Sequence, residues 1–370
     1  MSAHVDIAVV GAGAAGIAAA VSSARAGANT LLIDSRPAPG GTGGFSGLTT
    51  LCGLYNDAGD FLNDGFPREF AGALTIRQDP GPEVGAPIKM GRVWVLPYRP
   101  EDFRALAASL ISTTPKLQVQ WNTLLADVVV DADRIVRLNG FDVGAVIDCS
   151  GTAEVARAVG AETLATDETT QAPAVIFPLR HVARTLDSAA DMAQVLLPLA
   201  RGGFPPLSLQ ATRIAGEFTA KFTGAPELVP ALIEFLRANV RGFESCATPL
   251  KEFTTAHRAG RMIVGQYVLT GADVLAGRKF PDAVARCAWP IEQWDAKGTV
   301  RFKYLPAGTN YEIPARSLRA ARVDNLFMAG KTISADVDAI ASARVMGCCL
   351  ATGAAAGQLA ATFVQSARTR

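Results

Sequence analysis

Directly after the apolar run Val5 to Val10 the chain reads GAGAAG, with glycines at 11, 13 and 16. An apolar strand (VDIAVV) enters this cluster and a small-residue helix (AGIAAAVSSARAGA) leaves it; a second strand (TLLI) ends at Asp34, 18 residues beyond Gly16. Strand, glycine turn, helix and acid-terminated strand at this spacing form the βαβ fingerprint of dinucleotide binding. Gly11 permits the tight turn, Gly13 lets a pyrophosphate approach amides at the helix N-terminus, and Gly16 lets helix and sheet pack closely. Ala12, Ala14 and Ala15 complete the turn. Asp34, followed by Ser35 and Arg36, is expected to accept hydrogen bonds from the adenosine ribose hydroxyls.

At 370 residues the chain exceeds the usual span of one core, so a cofactor domain with a second, interleaved domain is expected. Lys plus Arg (35) balance Asp plus Glu (34), which gives no electrostatic reason for a nucleic acid or an anionic membrane as partner. Hydrophobic content is 49%, yet the apolar stretches are Ala/Gly-rich and interrupted, so no spanning helix of about 20 apolar residues is expected. No Lys or Arg precedes Arg25 and the first apolar run contains the glycine turn, unlike a secretory leader. A cytoplasmic protein is the expectation. The six cysteines (52, 149, 246, 287, 348, 349) have no metal-ligand spacing, so reduced thiols and no metal site are expected.

Pro39-Gly40-Gly41-Thr42 follows Asp34 within a few positions, and this segment resembles the glutathione-reductase-like flavoproteins. The resemblance implies FAD, held non-covalently, with Gly40, Gly41 and Thr42 close to its pyrophosphate and ribityl chain. Phe103, Leu106, Leu110 and Ile111 predict a helix begun near Pro100. Two or three strands follow, with turns at Asp131 and Asn139-Gly140, ending at Asp148-Cys149-Ser150-Gly151. CSGTAEVARAVGA resembles the superfamily's returning turn, which implies Leu125 near the adenine and Ser150 and Gly151 bordering the phosphates. An ordinary strand-to-helix turn is the alternative.

HRAGRMIVGQYVLTGADVLAGRKFPDAVARCAWPIEQWD and YEIPARSLRAARVDNLFMAGKTISADVDAIASARVMGCCLATGAAAGQLAA are similar to sustained runs of the FAD-dependent oxidoreductase family. The resemblance covers the first 50 residues, about 98 to 165, and 251 to 365. It implies an α/β fold: a Rossmann-like FAD-binding domain of the GR2 type (1–50, 98–165 and 311–370) with an inserted α+β substrate domain (51–97 and 166–310). Asn325 to Gly330 reads as an apolar strand ending in glycine, and SADVDAIASARVMG is expected to start a helix aimed at the flavin. Such an N-terminus would stabilise the reduced flavin and raise its potential. More distant relatives carry Gly-Asp after the strand where this chain has Gly330-Lys331. Gly330, Lys331, Ser342 and Val345 are cofactor-binding candidates, and Cys348-Cys349 are expected to be small core residues.

A flavin carries its own redox chemistry, so the protein must place a substrate against N5 and manage one proton. Cys52 is a reactive-thiol candidate, with an inert buried thiol as the alternative. The paired cysteines of the dithiol reductases are absent; their positions hold Gly43 and Leu48. Arg258 and Arg261 suit a clamp on an anionic group, or an ion pair. Glu292 stands where relatives carry an acid followed two residues on by histidine, here Trp294. His257 is a candidate proton acceptor or a structural histidine, and Tyr55 and Tyr311 are further options.

The expected activity is hydride transfer between a small organic substrate and flavin N5, with O2, a quinone or a protein as electron acceptor. A flavin monooxygenase using NAD(P)H and O2, and an FAD-containing accessory or electron-transfer subunit, are the alternatives. Neither oligomeric state nor substrate is legible; a homo-oligomer stays open.

Overall fold

The computed structural model describes residues 3–76, 86–166, 171–212, 214–249, 254–295 and 297–369. The chain divides into two compact units: Met1–Ala165 with Gly260–Glu292 and Phe302–Arg370, and Thr166–Ala259 with Gln293–Arg301.

The first unit is built on a parallel sheet. Its central strand β1 (Ala3–Val10) has near-continuous burial, as expected of a parallel strand covered on both faces. On one side β1 pairs with β2 (Thr30–Ile33), which pairs in turn with Leu117–Gln120. On the other side β1 pairs with Phe141–Asp148, which pairs with Leu326–Met328. Val10 lies opposite both Ile33 and Asp148, and Met328 lies opposite Asp148. The carboxyl ends of these four strands therefore finish together at one edge. An antiparallel extension, Arg134–Leu138 and Val128–Asp131, continues beyond Phe141–Asp148, with Ala132 and Asn139 at positive φ in its turns.

Helix α1 (Ala14–Arg25) is buried along Ala14 to Ala24. It packs on the C-terminal helix Met346–Arg368, and the closeness of that contact depends on glycine. A Cβ at Gly353 would overlap the Ala15 carbonyl oxygen, and one at Gly357 would come 2.5 Å from the Ala19 oxygen. The C-terminal helix corrects the expectation that no helix is long and apolar enough to span a membrane. It has 23 residues and passes by length and composition, although 78% of its apolar window is buried inside the protein. Its many small residues explain the difference: Ala, Gly and Cys raise apolarity while allowing close helix packing.

The expected helix near Pro100 is Pro100–Thr113, with Phe103, Leu106 and Ile111 buried. The segment 334–347 breaks at Arg344-Val345, however. Helix Val337–Ala343, capped by the Asp336 carboxylate on Ala339 N (2.7 Å), ends before the long helix begins at Met346.

Residues 51–97, 260–292 and 302–310, expected in the substrate domain, are counted in the first unit. Thr50–Cys52 pairs with Val93–Pro97, and Ala283–Cys287 with Tyr311–Pro314. Leu51, Val95, Trp289 and Tyr311 then join the same apolar cluster as α1.

The second unit is α+β. Its antiparallel sheet runs Ser208–Ala211, Phe218–Thr223, Ala174–Leu179, Thr254–Ala256. Helices Ala189–Arg201 and Leu228–Asn239 supply Val195, Leu199, Leu232 and Leu236 to its core.

Candidate functional site

The glycine turn after β1 lies at the edge where the parallel strands end, the position at which open α/β sheets bind ligands. Gly11 has φ +99°, and a Cβ there would stand 2.5 Å from the Cys149 carbonyl oxygen. The turn of Cys149-Ser150 therefore abuts the turn of Gly11. A Cβ at Gly16 would overlap the Gly11 carbonyl. Gly13 is the N-cap of α1 and offers no side chain to its first-turn amides, which leaves a helix N-terminus suited to an anion. The second glycine turn reaches the first: Gly40 N donates to Ala12 O (2.9 Å), and a Cβ on Gly41 would lie 2.6 Å from Gly13 Cα.

Asp34 closes one side of this crevice. Its carboxylate accepts from Ala12 N (2.5 Å) and Arg36 N (2.8 Å), so its position is fixed by backbone donors. The side chains of Arg36 and Arg104 both lie over the Phe45 ring, at 5.2 and 5.3 Å. Thr42 accepts from the Ser46 hydroxyl through its carbonyl (2.6 Å). Leu125 packs against the apolar cluster that includes Val10, Ile33 and Val146.

On the other side, Asp148 organises the Ser150-Gly151 turn. One carboxylate oxygen accepts from Ser150 N (3.0 Å) and Ser150 Oγ (2.6 Å), the other from Val155 N (3.0 Å) and Ala156 N (3.4 Å). Burial pushes its carboxyl up, against the pull of these hydrogen bonds. In the sequence Asp148 stands only as the last residue of a strand, and no motif signals its four donors.

Two half-buried cations, Lys331 and Arg344, neighbour the buried Cys349 and one another. Lys331 follows Gly330 at the end of Leu326–Met328, and Arg344 precedes the N-cap Val345 of the long helix. Burial, then the neighbouring Arg344, lowers the Lys331 ammonium. Burial likewise lowers Arg344, opposed by Glu292, Cys349 and Cys52. Arg344 donates to Glu292 O (3.2 Å), and Cys349 Sγ donates to Arg344 O (3.3 Å). Burial pushes the Cys349 thiol up to about 12, with Lys331 and Arg344 pulling the other way. Arg344 sits in the SARVM run quoted above, which was the available signal for it.

The other candidates separate. Ser342 is fully buried, its hydroxyl engaged by Trp289 O and by Tyr311 Oη (2.8 Å), so it ties these elements together. The Glu292 carboxylate accepts from Trp289 Nε1 (2.8 Å). Val345 packs against Gly53, next to Cys52, which lies half-buried on Thr50–Cys52. In the second unit Arg258 donates to Ala172 O (2.5 Å) and stacks 4.5 Å from the Trp294 ring centroid, while His257 is exposed. Arg261, in the first unit, is exposed with Thr163 Oγ1 at 3.4 Å. The Arg258 guanidinium is thus engaged within its own unit. Tyr55 packs on Phe61 (4.7 Å between centroids).

Cysteine usage is corrected as well. Cys287 and Cys348 form a disulfide (Cα–Cα 6.2 Å) linking the strand Ala283–Cys287 to the first turn of the long helix, against the expectation of six reduced thiols and an inert Cys348. Sixty-one residues separate the two, and no spacing motif signals such a pair. Among the described residues no group of three or more His, Cys, Asp or Glu could hold a metal ion.

A parallel sheet whose first turn offers glycine-lined amides, with an acid at the end of β2, defines a dinucleotide-binding class. The profile described as FAD dependent oxidoreductase matches residues 6–213 and 206–370, and the chain belongs to that family. FAD is its cofactor, and it is an oxidoreductase. No curated protein matches the chain. Among solved structures, a geranylgeranyl bacteriochlorophyll reductase-like protein of Thermoplasma acidophilum is similar over 99% of this chain and 80% of its own (14% identity, TM-score 0.51). GidA of Aquifex aeolicus is similar over 98% of this chain and 64% of its own (12%, 0.52), and the flavin-dependent brominase Bmp2 over 98% and 80% (12%, 0.51). At these identities the likeness is one of fold.

Proposed function

We propose that the protein catalyses hydride transfer between a small organic substrate and the N5 position of a non-covalently bound FAD. The observation that carries this reading is the crevice at the sheet edge, where the Gly11–Gly16 turn, the uncapped α1 N-terminus and Asp34 fit a dinucleotide. The fit is physical: a Cβ at Gly11, Gly16 or Gly41 would fill the space that brings these backbones together.

In this reading Gly11 to Gly16 and the α1 amides hold the pyrophosphate, and Asp34 holds the adenosine ribose. Gly40, Gly41 and Thr42 line the second turn, and Ser150, Gly151, Gly330 and Lys331 border the phosphates from the opposite side. Bound FAD supplies the two-electron redox chemistry. The chain's own residues exclude water and fix orientation; half-buried Cys52, Arg344 and Glu292 neighbour one another just before the start of the long helix. The electron acceptor is O2, a quinone or a protein.

Anaerobic titration of the oxidised protein with pooled alcohols, amines and hydroxy acids, and separately with NAD(P)H, tests this. Bleaching of the flavin band by an organic pool is expected. Bleaching by NAD(P)H alone would replace the reading with a monooxygenase or reductase. No bleaching together with copurification of a second subunit would replace it with an electron-transfer role.

A further inference from the structure

The long helix Met346–Arg368 begins without a side-chain cap, directly after the break at Arg344-Val345. Its first turn is closely seated all the same. A Cβ at Gly347 would overlap the Gly53 carbonyl, and one at Gly53 would lie 3.5 Å from Cys348 N. A Cβ at Gly330 would lie 3.5 Å from Cys349 Sγ and 2.8 Å from the Ala15 methyl, and Gly330 N donates to Thr352 Oγ1 (3.1 Å). The first two turns of the helix therefore touch Gly53, next to Cys52, and also Gly330, which rests on the first turn of α1. Cys348 ties the same region covalently to Cys287, the last residue of the strand Ala283–Cys287.

We propose that the Cys287–Cys348 bridge is a redox switch on FAD retention: closed, it pins the start of the long helix against the crevice, and opened by a dithiol it releases that start and weakens FAD binding. This rests on the FAD-site assignment made above. Both bridged residues are fully buried, and two thiols cannot stand at bonding distance, so opening the bridge must move one of the elements. The strand is held, because Cys287 pairs with Tyr311, whose hydroxyl bonds Ser342 Oγ (2.8 Å). The uncapped helix turn is the part that yields. Space for the movement lies alongside: a cavity of about 1150 Å³ is lined by Ala283 to Arg286 of the strand and by Ala351, Ala354 and Ala355 of the helix. A shift of this turn disturbs Gly330 and Ala15, and with them the α1 N-terminus that holds the diphosphate. In the opening step a thiolate of the dithiol attacks one bridge sulfur, the Sγ–Sγ bond breaks and a mixed disulfide forms, which the reductant's second thiol displaces. The reductant departs as a disulfide; its two electrons and two protons stay on Cys287 and Cys348 as two thiols.

The test uses full-length apoprotein, bridged or reduced with dithiothreitol and then desalted under argon, titrated with FAD. Reduction is expected to lower FAD affinity by about fivefold or more, and re-forming the bridge with oxidised glutathione to restore it. By linkage, saturating FAD should shift the dithiothreitol–bridge equilibrium toward the closed form by the same factor. The double variant Cys287→Ser, Cys348→Ser should bind FAD as the reduced parent does, with or without dithiothreitol treatment. Equal affinities of bridged and reduced parent would overturn the proposal, as would a bridge that dithiothreitol opens only in denaturant, or a fall on reduction that the double variant also shows. If the double variant fails to fold, the cycle of reduction and reoxidation in the parent decides by itself. A parent that binds FAD in neither state would instead defeat the FAD-site assignment.

Discussion

Gly16 leaves no room for a methyl group, because its Cβ would overlap the Gly11 carbonyl inside the turn that shapes the crevice. Gly16→Ala must move the turn or the helix, so a loss of about 3 kcal/mol or more in stability is expected, with FAD content falling in parallel. Thermal melting and released-flavin analysis read both; a variant with parental Tm and full FAD content would show that the turn is not closely packed. The places of Gly11 and Gly16 in the turn and of Asp34 at the end of β2 were legible because a local motif determines them: spacing along the chain sets where each must lie. Ser342 and Arg258 were not, since their partners Trp289 and Ala172 stand 53 and 86 residues away and nothing in the sequence pairs them.

At the scale of elements, the contact between α1 and the C-terminal helix joins the start of the chain to its end. Gly353 and Gly357 present bare backbone to Ala15 and Ala19, so a valine at either position must separate the helices. Gly353→Val, facing the turn of α1 nearer the crevice, should lose FAD affinity as well as stability, whereas Gly357→Val should chiefly lose stability, each by about 1 to 3 kcal/mol. Denaturant melts with and without added FAD distinguish the two, and equal FAD affinities would contradict this division. The sequence showed the helix begun at Pro100 through its apolar periodicity and the parallel strands β1 and β2 through their continuous apolar runs. It did not show the break at Arg344-Val345, where one small-residue run holds two helices, because Ala and Gly carry no periodic signal to mark a boundary.

For the molecule as a whole, the disulfide and the thiols give a reading of how the chain closes on itself. With Cys287 and Cys348 bridged, four thiols remain: Cys52, Cys149, Cys246 and Cys349. Denatured, unreduced protein should titrate four thiols, and reduced protein six; six before reduction would contradict the bridge. In the native state burial pushes Cys149 and Cys349 up, so at neutral pH the thiolate, which is the reactive form, is scarce at both. Half-buried Cys52 should therefore be alkylated before either, as peptide mapping would read. The two-unit organisation was legible from length and the family-like runs. The assignment of 260–292 was not, because that stretch joins the first unit's core through Trp289 and its neighbours rather than through any motif. The central claim is that the glycine-lined crevice holds FAD. Heat-denaturing the purified protein and identifying the released chromophore tests it most directly: about one FAD per chain is predicted, in the parent but not in Gly16→Ala. Colourless protein that takes up no FAD on reconstitution would contradict the account.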